Sequence, residues 1–370
     1  MTHVARVVVA PDSFKGTASA ADAAAAIAAG WRTVRPADEL TLRPMADGGE
    51  GTLDAFESAV PGATRTPVAV RGPVPAAESV ATHWLRLPDG TGVVELAATS
   101  GITLLDPLAP LDAHTAGFGE AIAAALDAGV SRLVLAVGGS ASTDGGTGAL
   151  AVLGARFVDA AGEPIALGNR GLGALRHVDL SGLRPLPPGG ALVLGDVTNP
   201  LLGEHGAAAV FAPQKGADAT TVEVLERHLA RLARLMPDEA RPLATASGAG
   251  AAGGTGFGLL AWGAEMGGGA ELVARAVGLP AAIAGADLVI TGEGRFDGQS
   301  EAGKAPTVVA SLARGAGVPT ALVAGAITAE PRGFATSVAL AELAGDGAAA
   351  MAEPLRWLER AGAELARTVV

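Results

Sequence analysis

The sequence predicts an α/β protein of two domains, the first built on a parallel sheet. Short apolar runs alternate with helical stretches from the start, and a middle block changes texture to paired strands. The length of 370 residues is also long for one hydrophobic core.

"VARVVVA" (4–10) is bounded and rich in valine, as a buried parallel strand should be. The loop "PDSFKGT" follows, and Ser19 with Asp22 can cap the alanine-rich helix that ends near Gly30. "ELTLRP", "MADGGEGT" and "LDAFESA" repeat the order strand, loop, helix. From about 66 to 97, "TPVAVRGP", "SVATHWLRL" and "GTGVVEL" surround the turn Pro88-Asp89-Gly90 and read as antiparallel strands of an inserted domain. A further unit then runs as helix 116–128, strand "RLVLAV", loop "GGSASTDGG" and a helix from about 146. "ALVLGDVTNP" is a strand entering a polar loop, "VEVLERHLARLARLM" an amphipathic helix, and "SGAGAAGGTGFG" a glycine-rich turn. "ADLVI" (286–290) and "PTALVAG" are strands again, and a final helix opens at about Pro354. Segments 1–65 and 286–370 are expected to share one sheet around an inserted α/β domain at 66–285.

Composition excludes several partners. The mean hydropathy of +0.38 comes from alanine and glycine, and no run of bulky apolar residues is long enough for a bilayer. Thirty-eight acids against 26 bases, a net charge of −12, argue against a nucleic-acid or anionic-membrane surface. No basic and then apolar leader opens the chain, and cysteine is absent, so a cytoplasmic location is expected. Self-association into a homo-oligomer is left open. The only lysines are Lys15, Lys215 and Lys304, each touching a glycine near a predicted strand or helix end. Such placement suits a compact charge close to backbone, as at a phosphate.

Five loops share an acid, small hydroxyls and glycines: "PDSFKGTAS", "MADGGEGT", "GGSASTDGGTG", "GDVTNP" and "TGEGRFDGQSEAGK". Loops of this kind gather beyond the carboxyl ends of parallel strands, where ligands bind. Glycines let N–H groups close on phosphate oxygens, lysines offset charge, and carboxylates hold a cation or accept a proton, so phosphoryl transfer is indicated. The acids concerned are Asp12, Asp47, Glu50, Asp144, Asp196, Glu293 and Asp297. The last loop has most of a P-loop, Gly298 and Gly303-Lys304, yet Ala305 lacks the magnesium-binding hydroxyl. Its lysine and Pro306 still suit a helix start that meets an anion. "GAGAAG" (248–253) matches a dinucleotide pattern but has no strand before it, which weighs against a nicotinamide-dependent oxidoreductase. The six histidines lack metal-ligand spacing, and Ser140 is not in a nucleophile elbow.

"APDSFKGTASA", "PMADGGEGT", "VGGSASTDGGTG", "DVTNPLLGEHGAAAVFAPQKGA", "GAGAAGG" and "LVITGEGRFDGQSEAGKAP" together resemble the bacterial glycerate kinase family. The resemblance implies D-glycerate, ATP and Mg2+, and a flavodoxin-like domain carrying a larger inserted α/β domain. It implies a 2-phosphate product, with the 3-phosphate as the alternative. Family stretches fall on Asp12, Ser13, Lys15, Asp47, Gly48, Gly49, Glu50, Ser140, Asp144, Asp196, Asn199, Lys215, Glu293, Asp297, Gln299, Ser300 and Lys304. Thr143 and Phe296 depart from the family pattern. On this basis Asp47 is the expected base, Lys15 or Arg71 the anchor for the substrate carboxylate, and Asp12, Ser13, Gly48 and Gly49 its surroundings. Asp196 and Glu293 are the expected metal ligands. Ser140, Asp144, Lys215, Gln299, Ser300 and Lys304 are expected at the nucleotide phosphates.

Overall fold

The valine run forms β1 (Arg6–Val9), in which Val7, Val8 and Val9 are buried, and it pairs in parallel with β2 (Glu39–Leu42). The computed structural model describes residues 4–14, 16–75, 77–297 and 304–368. Along the chain follow β3 (Thr64–Val70), β4 (Val80–Arg86), β5 (Thr91–Glu95), β6 (Arg132–Ala136), β7 (Arg156–Val158), β8 (His177–Asp179), β9 (Ala191–Leu194), β10 (Glu265–Gly267), β11 (Leu288–Phe296), β12 (Thr320–Ile327) and β13 (Thr336–Ala339).

Two compact units result. The first takes the chain up to Asp47, Asp54–Pro61 and everything from Gly268; the second takes Gly48–Leu53 and Gly62–Gly267. In the first, all strands are parallel in the order β13-β12-β11-β1-β2, so N- and C-terminal segments do share one sheet. The chain adds β2 on one side of β1 and returns to add β11 on the other. That reversal makes the gap between β1 and β11 a topological switch point. Ile27 and Trp31 from the helix Ala20–Val34, with Leu358 and Leu365 from Pro354–Thr368, pack on Val7, Val9, Ile290 and Val323. Each such burial stabilises by roughly 1.5–3 kcal/mol. Ser19 caps the first helix by accepting the Asp22 N–H at 3.1 Å.

The second unit holds a six-stranded sheet in the order β10-β9-β6-β5-β4-β3. Here β5, β6, β9 and β10 are parallel, while β4 runs against both neighbours. The strands between 66 and 97 are thus not purely an antiparallel set, because β5 also leads the parallel part. Leu133 and Leu135 of β6 share a core with Phe118, Ile122, Leu229, Leu232 and Phe257.

Three features depart from the sequence reading. The strand read as 286–290 runs on to Phe296, because Gly292, Glu293, Arg295 and Phe296 find parallel partners in β12. The short strands β7, β8, β10 and β13, of three or four residues each, are too brief to leave a period in the sequence. The helices Gly269–Ala276 and Leu279–Ile283 lie in the first unit, not with the middle segment. Among the described residues no helix is long and apolar enough to cross a membrane.

Candidate active site

In the first unit, the loops that leave β1, β2 and β11 come together at the carboxyl ends of the sheet. The loop after β1 is tied to β11 by the Asp12 N–H, which donates to Gly292 O at 2.8 Å, and by Thr291 Oγ1, which donates to Ala10 O at 2.8 Å. Its Asp12 carboxylate is buried and accepts the Ser13 N–H at 2.6 Å. The Met45 N–H donates to Pro11 O at 2.8 Å, so the loop carrying half-buried Asp47 lies beside the loop carrying Asp12 and Ser13.

On the other side of the switch point stands a charged group. Lys304 Nζ is 3.9 Å from Glu293 Oε2 and 3.9 Å from Asp297 Oδ1. Lys304 immediately precedes the helix Ala305–Gly315, with Pro306 in its first turn as the sequence suggested. A cation at a helix start, flanked by two carboxylates, can meet a phosphate and a metal ion at once. Lys15, Gln299 and Ser300 lie outside the described residues.

The second unit gathers its own loops, beyond β5, β6 and β9. The Gly138 N–H donates to Gly48 O at 2.9 Å, and a Cβ on Gly48 would fall 2.8 Å from the Leu194 backbone oxygen. Only glycine allows that approach, at a φ of 92°. Gly48 and Gly49 are thereby set against the start of the loop "GGSASTDGG" and against the strand end that leads to Asp196. The Leu53 N–H, at the start of the helix Thr52–Ala59, donates to Glu95 Oε2 at 3.1 Å.

The "GGSASTDGG" loop itself is buried and bonded throughout. Asp144 is 0% exposed, and its two oxygens accept from the Thr115 N–H and hydroxyl and from the Gly146 and Gly148 N–H groups at 2.8–3.1 Å. That is the bonding of a structural carboxylate at the start of the helix Thr147–Val152, not of a group presented to phosphate. Lys215 is 3% exposed; its ammonium donates to Ser140 Oγ at 2.8 Å and Ser142 O at 2.6 Å. Burial pushes its pKa down to about 7, against the opposing pull of Asp144. His114, buried nearby, is likewise pushed down by burial, with Asp144 opposing.

The glycine-rich segment closes this group. A 3-10 turn at Arg241–Thr245, not a strand, precedes "GAGAAG". The Gly250 N–H donates to Asn199 O at 2.9 Å, and a Cβ on Gly253 would fall 2.1 Å from Ser142 O. Ala252, Gly253 and Gly254 are all left-handed here, Ala252 at a φ of 52°. Arg71 directly follows β3; its Nε and backbone N–H grip both oxygens of Glu120 at 2.6 Å.

Sequence reasoning did not single out Asn169. It is 0% exposed, and its Nδ2 donates to Thr143 O at 2.8 Å. His228 Nδ1 faces two acceptors on Asn169, Oδ1 at 2.9 Å and O at 3.1 Å, and so carries the proton. Asn169 stands in "LGNRGL", which has no motif, and only the packing reveals its role.

One parallel sheet and one mixed sheet, with acid- and lysine-bearing loops beyond the carboxyl ends of their parallel strands, define an α/β phosphotransferase. The chain matches the glycerate kinase family over residues 7–370. It is 42% identical over 330 residues to a glycerate kinase of Bacillus subtilis, covering 87% of this chain and 85% of the relative. It is 41% identical over 329 residues to a glycerate 2-kinase of Escherichia coli, covering 87% and 86%. A Salmonella typhimurium LT2 protein, whose crystal structure carries the provisional name glycerate kinase 2, superposes with a TM-score of 0.83 at 38% identity, over 99% of this chain and 98% of that one. The chain therefore belongs to the glycerate kinase family, and its activity is that of a glycerate kinase.

Proposed function

We propose that the chain transfers the γ-phosphoryl group of ATP to the C2 hydroxyl of D-glycerate, giving 2-phosphoglycerate and ADP. The position is supported by the 41% identity, across 87% of this chain, with a protein named glycerate 2-kinase. Phosphorylation at C3 is the competing outcome.

Lys304 contacts the transferred phosphate, with Gln299, Ser300 and Ser140 contributing further phosphate contacts. Asp47 accepts the hydroxyl proton, and Asp12, Ser13, Gly48 and Gly49 surround the substrate. Lys15 anchors the substrate carboxylate; Arg71 is the weaker candidate because Glu120 already answers its charge. A substrate carboxylate anchored by Lys15 next to the base would leave the C2 hydroxyl nearest to it.

The donor set fits Mg2+. This ion is usually held by one or two carboxylates while substrate phosphates supply other ligands. Glu293 and Asp297, each 3.9 Å from the Lys304 ammonium, provide such a pair, and Asp196 after β9 is the second unit's candidate ligand. Among the described residues no group of three metal-binding side chains forms an all-protein cage. When bound, the ion would neutralise charge on the phosphates.

Coupling the reaction to enolase, without phosphoglycerate mutase, tests the position directly. Formation of phosphoenolpyruvate is expected. Glycerate-dependent ADP release without it would assign the reaction to C3 and displace Asp47 as the base.

A further inference from the structure

The side chains around Ser140 divide their hydrogen bonds unevenly. Lys215 Nζ donates to Ser140 Oγ at 2.8 Å, and in its charged form this head group can only donate. The Ser140 oxygen is therefore used as an acceptor, while its own O–H has no acceptor among the described residues. Ser140 is 6% exposed, next to exposed Gly139. Two more hydroxyls of this loop, Ser142 Oγ and Thr143 Oγ1, are buried without a partner among the described residues. Unspent buried hydroxyls of this kind are uncommon and call for a reason.

We propose that Lys215 is a positioning residue that makes the Ser140 hydroxyl a donor aimed at an anionic oxygen of the nucleotide, and does not itself touch phosphate. The proposal rests on the reading that the "GGSASTDGG" loop meets the nucleotide. Geometry carries it: at 3% exposure both bonds of the Lys215 head group go to this one loop, to Ser140 Oγ and to Ser142 O at 2.6 Å. A protonated or a neutral amine can make both bonds, because each retains two N–H groups. The charged groups that act on it are few. Among the described residues Asp144 is the one whose field reaches Lys215; the same carboxylate opposes the downward push of burial on His114. Asp144 is in turn saturated by Thr115, Gly146 and Gly148. Lys215 thus has the loop as its partner, where an exposed phosphate-binding lysine would have the ligand.

A double-mutant cycle on the full chain tests this. Ser140→Ala and Lys215→Met are each expected to lower kcat/KM for ATP by about tenfold or more, since a charge-assisted bond is worth about that factor. The double variant should be no worse than the poorer single one within about twofold. Multiplied losses would overturn the positioning role while leaving the loop reading intact. Unchanged activity in Ser140→Ala would overturn the loop reading and the proposal together. In a second measurement, with only three lysines, 15N-lysine labelling resolves the Lys215 head group by NMR. Its titration is expected to move up from about 7 when ADP saturates the protein, since an anion held by Ser140 lies within about 5.5 Å of the ammonium, and Ser140→Ala should diminish that rise. An equal rise in the Ser140→Ala variant would signal direct phosphate contact and overturn the proposal.

Discussion

The two units use similar loop compositions to different ends. In the first, the sheet reverses at β1, and the loops beside that reversal carry partly exposed charges: Lys304 and Asp297 side chains are each 31% exposed, their contact a loose 3.9 Å. In the second, strand order follows chain order from edge to edge, and the loop after β6 and the lysine bonded to it bury their charges in short bonds, with Asp144 at 0% and Lys215 at 3% exposure. An acid in a glycine-rich loop can therefore present charge or hold shape. Burial and bond count separate the two, and composition does not.

The largest effect that would sharpen this contrast is Lys304→Ala. Loss of a charge-assisted phosphate contact should lower kcat/KM by two to three orders of magnitude, roughly the cost of one preorganised donor at a developing charge. The thermal midpoint should stay within a few degrees of wild type. Near wild-type kinetics would remove Lys304 from the reaction.

Asp144→Asn probes the opposite character. An amide keeps one acceptor and turns the other toward N–H groups, so urea unfolding should report a loss of about 2–4 kcal/mol. A fully stable variant with impaired ATP use would reverse the assignment, making Asp144 a ligand residue.

Lys215 gives the second unit a pH signature. Its folded pKa, about 7, lies below its ordinary value of 10.5, so between these limits the unfolded chain binds more protons. Stability should then rise with pH, by at most about 1.4 kcal/mol per unit, with the full penalty present below pH 7. Between pH 7.5 and 8.5 a rise of about 1 kcal/mol is expected, and Lys215→Met should flatten it. A wild-type slope that persists in the variant would place the titrating group elsewhere.

The smallest effect is expected at Ala252, where a left-handed φ of 52° costs an alanine about 1 kcal/mol. Ala252→Gly should raise the unfolding free energy by a few tenths to 1 kcal/mol, since glycine's extra freedom offsets part of the gain. A lowered value would mean that the methyl group's packing outweighs the strain.

Much of this was legible before any coordinates. "VARVVVA", the Ser19 cap, the helix at Ala219–Leu235 and the proline-led helix at Pro354–Thr368 are local patterns, and local physics decides them. The failure of "GAGAAG" as a dinucleotide motif was legible too, because what precedes a glycine run is written in the chain. Residues 291–296 were not. "TGEGRF" has poor strand propensity, and it is strand only because β12 supplies a partner for Thr291, Gly292, Glu293, Arg295 and Phe296. Phe296, a departure from the family pattern, is 2% exposed and sits edge-on to Phe334 with ring centroids 5.7 Å apart. Its partner lies 38 positions along the chain, and no periodicity announces it.

By itself the sequence determined the order of the longer elements, the parallel character of the first sheet, the loops that carry chemistry and the reaction class. Those depend on side-chain periodicity, turn residues and the kinds of groups a phosphate requires, all readable within a dozen residues. Only the tertiary structure decided which charges face outward and which are consumed inside. Lys215 and Lys304 both stand beside glycine and look alike in the chain, yet one is buried against Ser140 and Ser142 and the other is 31% exposed beside Glu293 and Asp297. The physical reason is that desolvation and hydrogen-bond saturation are set by neighbours distant in sequence, 75 positions in the case of Lys215 and Ser140.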